Sequence, residues 1–519
     1  MARMPSKIAL FWPGDARSKP NELALPSIEE ATQQLERALK KLGRASYRIE
    51  GYLSKPHEAI EKLGPVDDPM IGVCVHWFYA PHTTDGVVGK DHPLLLASNF
   101  SGKWPGLVGL LNTGASLEML GRRFSRAWTD KPDWSADDAF MARLEEWCTS
   151  GRVAYSESQL SYHAPIAPAA AKLARSVAEE IRRRRVLVMM LGDTSMGMIN
   201  GYFGPRLLNL HGFTEHKIDQ AWILDRGKRI AQSRIDDAFA FVKSKGVTFH
   251  WKEEAPGGSV SNNHDFDEAA TKEQLRDYLA VLDMAGEFKA DCIGWQYQLG
   301  LIPLRAPSDF AEGLFNSTCR PESNGDTIAC ATEADQGNVV PMELLKRLLK
   351  AKGLHQAVMF HDVRWGAEDP REKGRFLWVL LNSGSCGAYA FNHDPDSLKG
   401  VHSYRQPSLY FPTPGGTFAG ESLPGKMTWA RAYIRQGVLW MDVGKGEVVK
   451  LPEATRDAWW QGTTREWPFM AADMGISRET LMAHYLSNHV AVAYGDVFDE
   501  MIALCQELGF KVRVLGAQG

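Results

Sequence analysis

Apolar runs of strand length alternate with helix-periodic stretches along most of the chain. The run IALFW (8–12) precedes IEEATQQLERALKKLG (28–43), whose apolar residues recur at three- and four-residue spacing and whose end is marked by a glycine. Short solid runs separated by helical periodicity are the signature of parallel strands covered by helices. MIGVCVHWF (70–78), HPLLLASNF (92–100) and GLVGLL (106–111) continue the strand and turn alternation. Together they predict a first α/β domain over residues 1–165.

PAAAKLARSVAEEIRRRR (168–185) predicts a helix running into the strand RVLVMMLG (185–192), and this junction marks the first boundary. The strands AWILD (221–225), GVTFHW (246–251) and CIGWQYQLG (292–300), with helices over Arg234–Lys245 and Ala269–Phe288, fill a second α/β domain, residues 166–352. After MELLKRLLKAKG (342–353) the texture changes. HQAVMFHDVRW, RFLWVLLNSGSCGAYAF, YFPTPGGTFAG and GKMTWARAYI are short, aromatic and punctuated by glycine, which predicts a β-rich C-terminal domain over 353–519. VFDEMIALCQELGFKVRVL then predicts a helix and a strand, a return to α/β packing. The predicted fold class is therefore α/β: two Rossmann-like α/β domains followed by a β-rich domain. No internal repeat or low-complexity segment interrupts the pattern.

Composition narrows the function classes. A chain of 519 residues exceeds one core and suits three domains of about 150 residues each. The 44% hydrophobic and 10% aromatic content belongs to a globular protein, and the net charge of −4 is small for this length. The cluster Arg182–Arg185 ends a helical pattern, where cations are favoured, and no longer basic stripe exists. Neither a nucleic acid nor a membrane is expected as a partner. Seven cysteines, an odd count without C-x-x-C spacing, argue against a disulfide framework and suit a reduced, cytoplasmic setting. The N-terminal apolar run breaks at Pro13 and Gly14, too short for a signal peptide, and no window of about 18 uncharged apolar residues occurs.

Three residues carry candidate chemistry: Glu333 in CATEADQGN, Asp362 in VMFHDVRW and His489 in SNHVAVAYGD. Two carboxylates and an imidazole make a workable ligand set for a divalent cation with open positions, and the oxygen-rich set suits Mn²⁺ or Mg²⁺ better than a closed zinc site. Each residue also has an ordinary structural explanation. Glu333 and Asp335 can decorate a solvated loop or a helix N-terminus; Asp362 and Arg364 can form a surface pair of little energetic weight; His489 can be a satisfied core histidine. His76, His82, His361 and His484 are rivals that spacing does not separate. GDTSMGMINGYFG (192–204) has a glycine loop able to bind phosphate through backbone N–H groups, yet it fits neither common phosphate-loop pattern. Trp12, Trp77, Trp295, Trp467 and Tyr410 can be core, or can stack on a sugar ring.

Taken in order, DARSKPNELALPSIEEA, VHWFYAPHTTD, NFSGKWPGLVGLLNTGA, MLGDTSMGMING, GFTEHKID, CATEADQGN, HDVRW, LLNSGSCGAYAF and SNHVAVAYGD resemble the L-fucose isomerase family along nearly the whole chain. The resemblance implies Glu333, Asp362 and His489 as ligands of Mn²⁺, with Mg²⁺ or Co²⁺ as alternatives, in a cleft between the second and third domains. Glu333 and Asp362 would double as the catalytic carboxylates. It implies an open-chain aldose as substrate, L-fucose- or D-arabinose-like or a related modified sugar, and a homo-oligomer, trimeric or hexameric, whose sites borrow residues from a neighbour's first domain. The borrowed positions map to Arg17 and Trp77. Gln296 or Gln298, Ser383 or Ser385, Tyr410 and Trp467 are the remaining substrate contacts by the same resemblance.

The implied reaction is aldose–ketose isomerisation, an intramolecular oxidoreduction through a cis-enediol. Epimerisation or lyase chemistry at the same site, and non-catalytic sugar binding, are the rival functions. The chain departs from the family in its shorter third domain and in TTREWPFMAADMGISRETLMAHYLSNH, which points away from fucose itself as the substrate. Arg465 and His484 lie in that stretch, as contacts for an anionic or modified sugar or as plain surface residues.

Overall fold

The computed structural model describes residues 7–516 except 101–103, 105, 194–195, 259–262, 383 and 385. Its first five strands are β1 (Lys7–Pro13), β2 (Ala45–Leu53), β3 (Met70–Cys74), β4 (Leu94–Asn99) and β5 (Ser125–Thr129). They lie parallel in the order β2-β1-β3-β4-β5. Strand β3 is buried along its whole length, which is why it reads as a solid apolar run instead of an alternating one. The order in which strands are added reverses between β1 and β3, and in such sheets the crevice beyond the carboxyl ends at that point is where ligands sit.

A short β6 (Leu160–Ser161) leaves this sheet, and β7 (Val186–Leu191) and β8 (Phe213–Ile218) begin a second one. The two-residue β9 (Thr248–Phe249) stands apart. With β10 (Cys292–Trp295) and β11 (Ala329–Thr332) the second sheet is completed, all parallel, in the order β11-β10-β7-β8. It again has a reversal point, between β7 and β10.

The remaining strands are β12 (Val358–Glu368), β13 (Phe376–Leu381), β14 (His402–Ser403), β15 (Gly425–Arg435), β16 (Val438–Val448), β17 (Phe469–Asp473), β18 (His489–Tyr494) and β19 (Lys511–Leu515). Six of them, in the order β15-β18-β12-β13-β17-β16, are antiparallel, and β16 pairs back onto β15. The result is a closed barrel with no free edge among these six. β19 adds parallel to β16 and carries β6 on its far side. Strand β14 pairs with β9, so the aromatic, glycine-rich stretch after β13 reaches back to the second sheet's segment.

Some sequence expectations change. GLVGLL opens a helix, Gly106–Met119, and AWILD forms a helix, Ala221–Gly227. The first is apolar on every face because all faces are covered: it packs against β4 of its own sheet and against β12 and β15 of the barrel. A short apolar run carries no period that separates such a helix from a buried strand. The runs 70–78 and 292–300 are strands only to Cys74 and Trp295, and 246–251 only over β9. In the first two, the residues beyond the strand turn into the site described below. The seven cysteines are free and buried. No helix among the described residues is long and apolar enough to cross a membrane.

One buried pair joins the barrel to its added strand. Asp442 on β16 receives Arg513 of β19 at 2.8 and 2.7 Å, and Arg513 also donates to the His484 carbonyl at 2.9 Å, anchoring the segment that leads to His489. Removing one partner strands the other charge. Asp442→Leu is expected to lower stability by about 3–5 kcal/mol, read as a clear fall in the thermal unfolding midpoint.

Candidate active site

The carboxyl ends of the two parallel sheets face the barrel, and a narrow cavity of ≈ 50 Å³ lies where they meet. Arg17 comes from the loop after β1 and Trp77 from the turn after β3, on either side of the first sheet's reversal point. Met196 follows β7 and Gln298 follows β10, on either side of the second. Glu333 directly follows β11, and Asp362 and Arg364 lie on β12. Asn382, Tyr410, Phe411, Trp467, Asn488 and His489 complete the wall with Val108. Cavities of ≈ 680 and ≈ 860 Å³ open elsewhere. Charged groups in each pair with one another, among them Arg347 with Glu343 and Arg375 with Asp473, and neither gathers the candidate residues, so size alone does not mark the site.

Backbone geometry brings the three candidate ligands together. Asp362 and His489 are register partners across β12 and β18, although far apart in the sequence. Glu333 is held in the left-handed region, φ +66°, followed by Ala334 at φ +51°. Each such residue costs about 1–3 kcal/mol, and strain of this kind is retained where it aims a functional side chain. His489 Nε2 lies 3.2 Å from Asp362 Oδ1 and 3.8 Å from Glu333 Oε2. Gln298 Nε2 donates to Glu333 at 3.3 Å, and Asn488 Nδ2 donates to Asp362 at 3.1 Å. Each carboxylate thus has an amide that orients it.

Behind the imidazole stands Asp335, wholly buried. Its carboxylate caps the helix Gln336–Ala351 by accepting from the Gly337 N–H at 2.8 Å, and it accepts from Arg431 Nη1 and from His489 Nδ1, the latter at 2.8 Å. A Cβ at Gly337 would collide with the Arg431 guanidinium, so glycine there is what admits the arginine. Burial alone would raise the Asp335 pKa, but Arg431 and His489 hold it below the usual carboxylate range. Burial would lower that of His489. The neighbouring Asp362 carboxylate and the bond to Asp335 outweigh it and raise the imidazole to about 9.

The donor chemistry fits a divalent cation: two carboxylates and an imidazole Nε2 directed into the cavity, its tautomer set by the bond from Nδ1 to a carboxylate. The spacing is set by the imidazole's contact with Asp362, and among the described residues no three His, Cys, Asp or Glu side chains stand in a ready-made ligand cluster. A cation held there would displace the proton from His489 Nε2.

Arg17 and Trp77 reach the cavity from the first sheet of the same chain, which differs from the expectation that a neighbouring subunit lends them. The reason is the helix Gly106–Met119, which docks the first sheet on its own barrel. Arg17 pairs with Asp15 at 2.9 and 2.6 Å and lies 5.0 Å from the Tyr410 ring centroid. Of the glutamine pair, Gln298 lines the cavity. Gln296, expected as a substrate contact, does not: it is buried at the turn after β10, with its backbone bonded to Leu191 and Gln220. Ser383 and Ser385 lie outside the described residues. Arg465 stacks on the Trp460 ring at 3.5 Å, and His484 bonds the Ser156 carbonyl; neither lines the cavity. Asn382, Asn488, Met196 and Phe411 were not anticipated. Adjacency of Asn488 to His489 was the one available signal.

Residues 380–515 match the family model described as L-fucose isomerase, C-terminal domain. No curated protein matches the chain. The matched stretch runs from the end of β13 through β19 and includes His489, Trp467 and Tyr410, whereas Glu333 and Asp362 precede it. The match supports the family over this part of the chain and suggests a sugar isomerase.

Asp335→Asn keeps an acceptor for Nδ1 and removes a negative charge beside the imidazole. In metal-free protein the His489 pKa is expected to fall from about 9 by roughly one unit or more, measured by NMR titration of the imidazole signals.

Proposed function

We propose that the protein is a divalent-metal-dependent aldose–ketose isomerase acting on an open-chain sugar. The observation that carries this reading is the pair of amide-oriented carboxylates, Glu333 and Asp362, facing His489 in a cavity walled by Trp77, Tyr410 and Trp467. Glu333, Asp362 and His489 would hold the cation, with Mn²⁺ the best fit to this oxygen-rich set. When bound, the cation supplies a Lewis acid beside two adjacent sugar oxygens.

The chain's own groups then move the protons. One carboxylate takes the proton from C2 and returns it to C1, while the other passes the O2 proton to O1, so the sugar crosses a cis-enediol with no net gain or loss of atoms. Aromatic faces cover the C–H side of the sugar, and the small volume of the cavity excludes bulk water. The complete lining within one chain is compatible with a homo-oligomer, for which the exposed Leu23, Leu25, Leu299 and Leu304 are candidate contact residues.

The test is deuterium uptake from D₂O into a panel of aldoses, with and without Mn²⁺, followed by mass spectrometry. Mn²⁺-dependent uptake together with ketose formation is the expected result; uptake with an epimer and no ketose would establish epimerisation instead. Glu333→Gln and Asp362→Asn should each reduce turnover by about 10²–10⁴-fold. His489→Ala should weaken Mn²⁺ binding by about 10–100-fold, measured by calorimetry. Full activity in both carboxamide variants would remove the site assignment.

A further inference from the structure

Arg364 is the extra residue of a β-bulge. Strand β12 pairs with β13 through Val363↔Leu380 and Trp365↔Val379, so β12 spends one more residue than its partner between those pairs. Bulges re-aim side chains beside sites, and this one turns Arg364 into the cavity that Asp362 also lines. The residue is 5% exposed. Its Nη2 reaches Thr464 Oγ1 at 3.4 Å, its guanidinium carbon lies 5.5 Å from the Trp467 ring centroid, and its Nε is buried without a hydrogen-bond partner. Among the described residues no carboxylate forms an ion pair with it, and Asp362, two positions away, is the one carboxylate whose field reaches it.

The other charges of the cavity are matched. Arg17 has Asp15, and His489 has Asp335. Under the isomerase reading, Glu333 and Asp362 are committed to a dication, which leaves the Arg364 charge with no counter-ion inside the protein. A buried guanidinium with an unused donor is unfavourable unless an anion meets it. Asp362 and Arg364 line one cavity from the same strand, so a sugar chain held at Asp362 can present its far end to Arg364.

We propose that the substrate is an anionic sugar whose terminal oxyanion, at the end remote from the reacting carbons, seats on Arg364. This rests on the isomerase reading for which end reacts. A carboxylate and a phosphate share the chemistry Arg364 recognises, and the ligand series below separates them.

The experiment uses the Mn²⁺-loaded full chain and matched ligands in several configurations: a neutral hexose, the corresponding hexuronate and the hexose 6-phosphate. Binding is followed by the fluorescence of the wall tryptophans and, separately, by deuterium uptake. The expected result is anionic ligands bound at least about 10-fold tighter than their neutral partners, the worth of one charge-assisted contact. Arg364→Gln should abolish the preference and Arg364→Lys retain part of it. Hexuronate over phosphate identifies the carboxylate, and the reverse order identifies the phosphate. Equal binding of neutral and anionic ligands, binding of no anionic ligand, or an equal loss for both classes in Arg364→Gln overturns the proposal. Anion preference without deuterium uptake removes the isomerase reading and leaves the anion seat standing, while uptake confined to neutral sugars does the opposite.

Discussion

The buried carboxylate of Asp335 is the constraint on which the rest of this structure depends. It begins a helix of the second sheet's layer, takes an arginine from barrel strand β15 and orients the imidazole that opens β18. One anion therefore fixes three elements from two sheets. Its low pKa is a consequence of that position: desolvation opposes the charge, and two cationic partners more than offset it. An uncompensated anion in the same place would be strongly destabilising, so Asp335, Arg431 and His489 form a set in which each member requires the others.

Around this set the two parallel sheets act as equivalent devices. Each places its reversal point toward the barrel, and each contributes the loops that begin there. The barrel supplies the opposing wall, with Asp362 and His489 brought side by side by register and not by proximity in sequence. The left-handed Glu333 and Ala334 and the bulge at Arg364 lie at the same place. The rest of the fold over-determines these conformations through the closed barrel and the buried helix Gly106–Met119.

Much of the layering was legible from periodicity. The strand–helix alternation of β1, β3, β4 and β7 and the long helices over 168–185 and 269–288 follow from patterns that hydrophobic burial imposes on a sequence. GLVGLL and AWILD were misread because short apolar runs lack a period. The six-stranded closure of the barrel, and its recruitment of Leu160–Ser161 from far upstream, left no local signature because cross-strand pairing is non-local.

The site divides in the same way. By itself the sequence determined the kinds of donor available and their local settings, acids at strand ends and a histidine opening an apolar strand, because those depend on near neighbours. Only the tertiary structure decided that Gln298 and not Gln296 faces the cavity, that Arg17 and Trp77 line a cavity of their own chain, that Asp335 holds His489, and that Arg364 is buried without an ion pair. Each of these depends on register, docking and burial, which arise when distant segments meet and which no single stretch of the chain encodes.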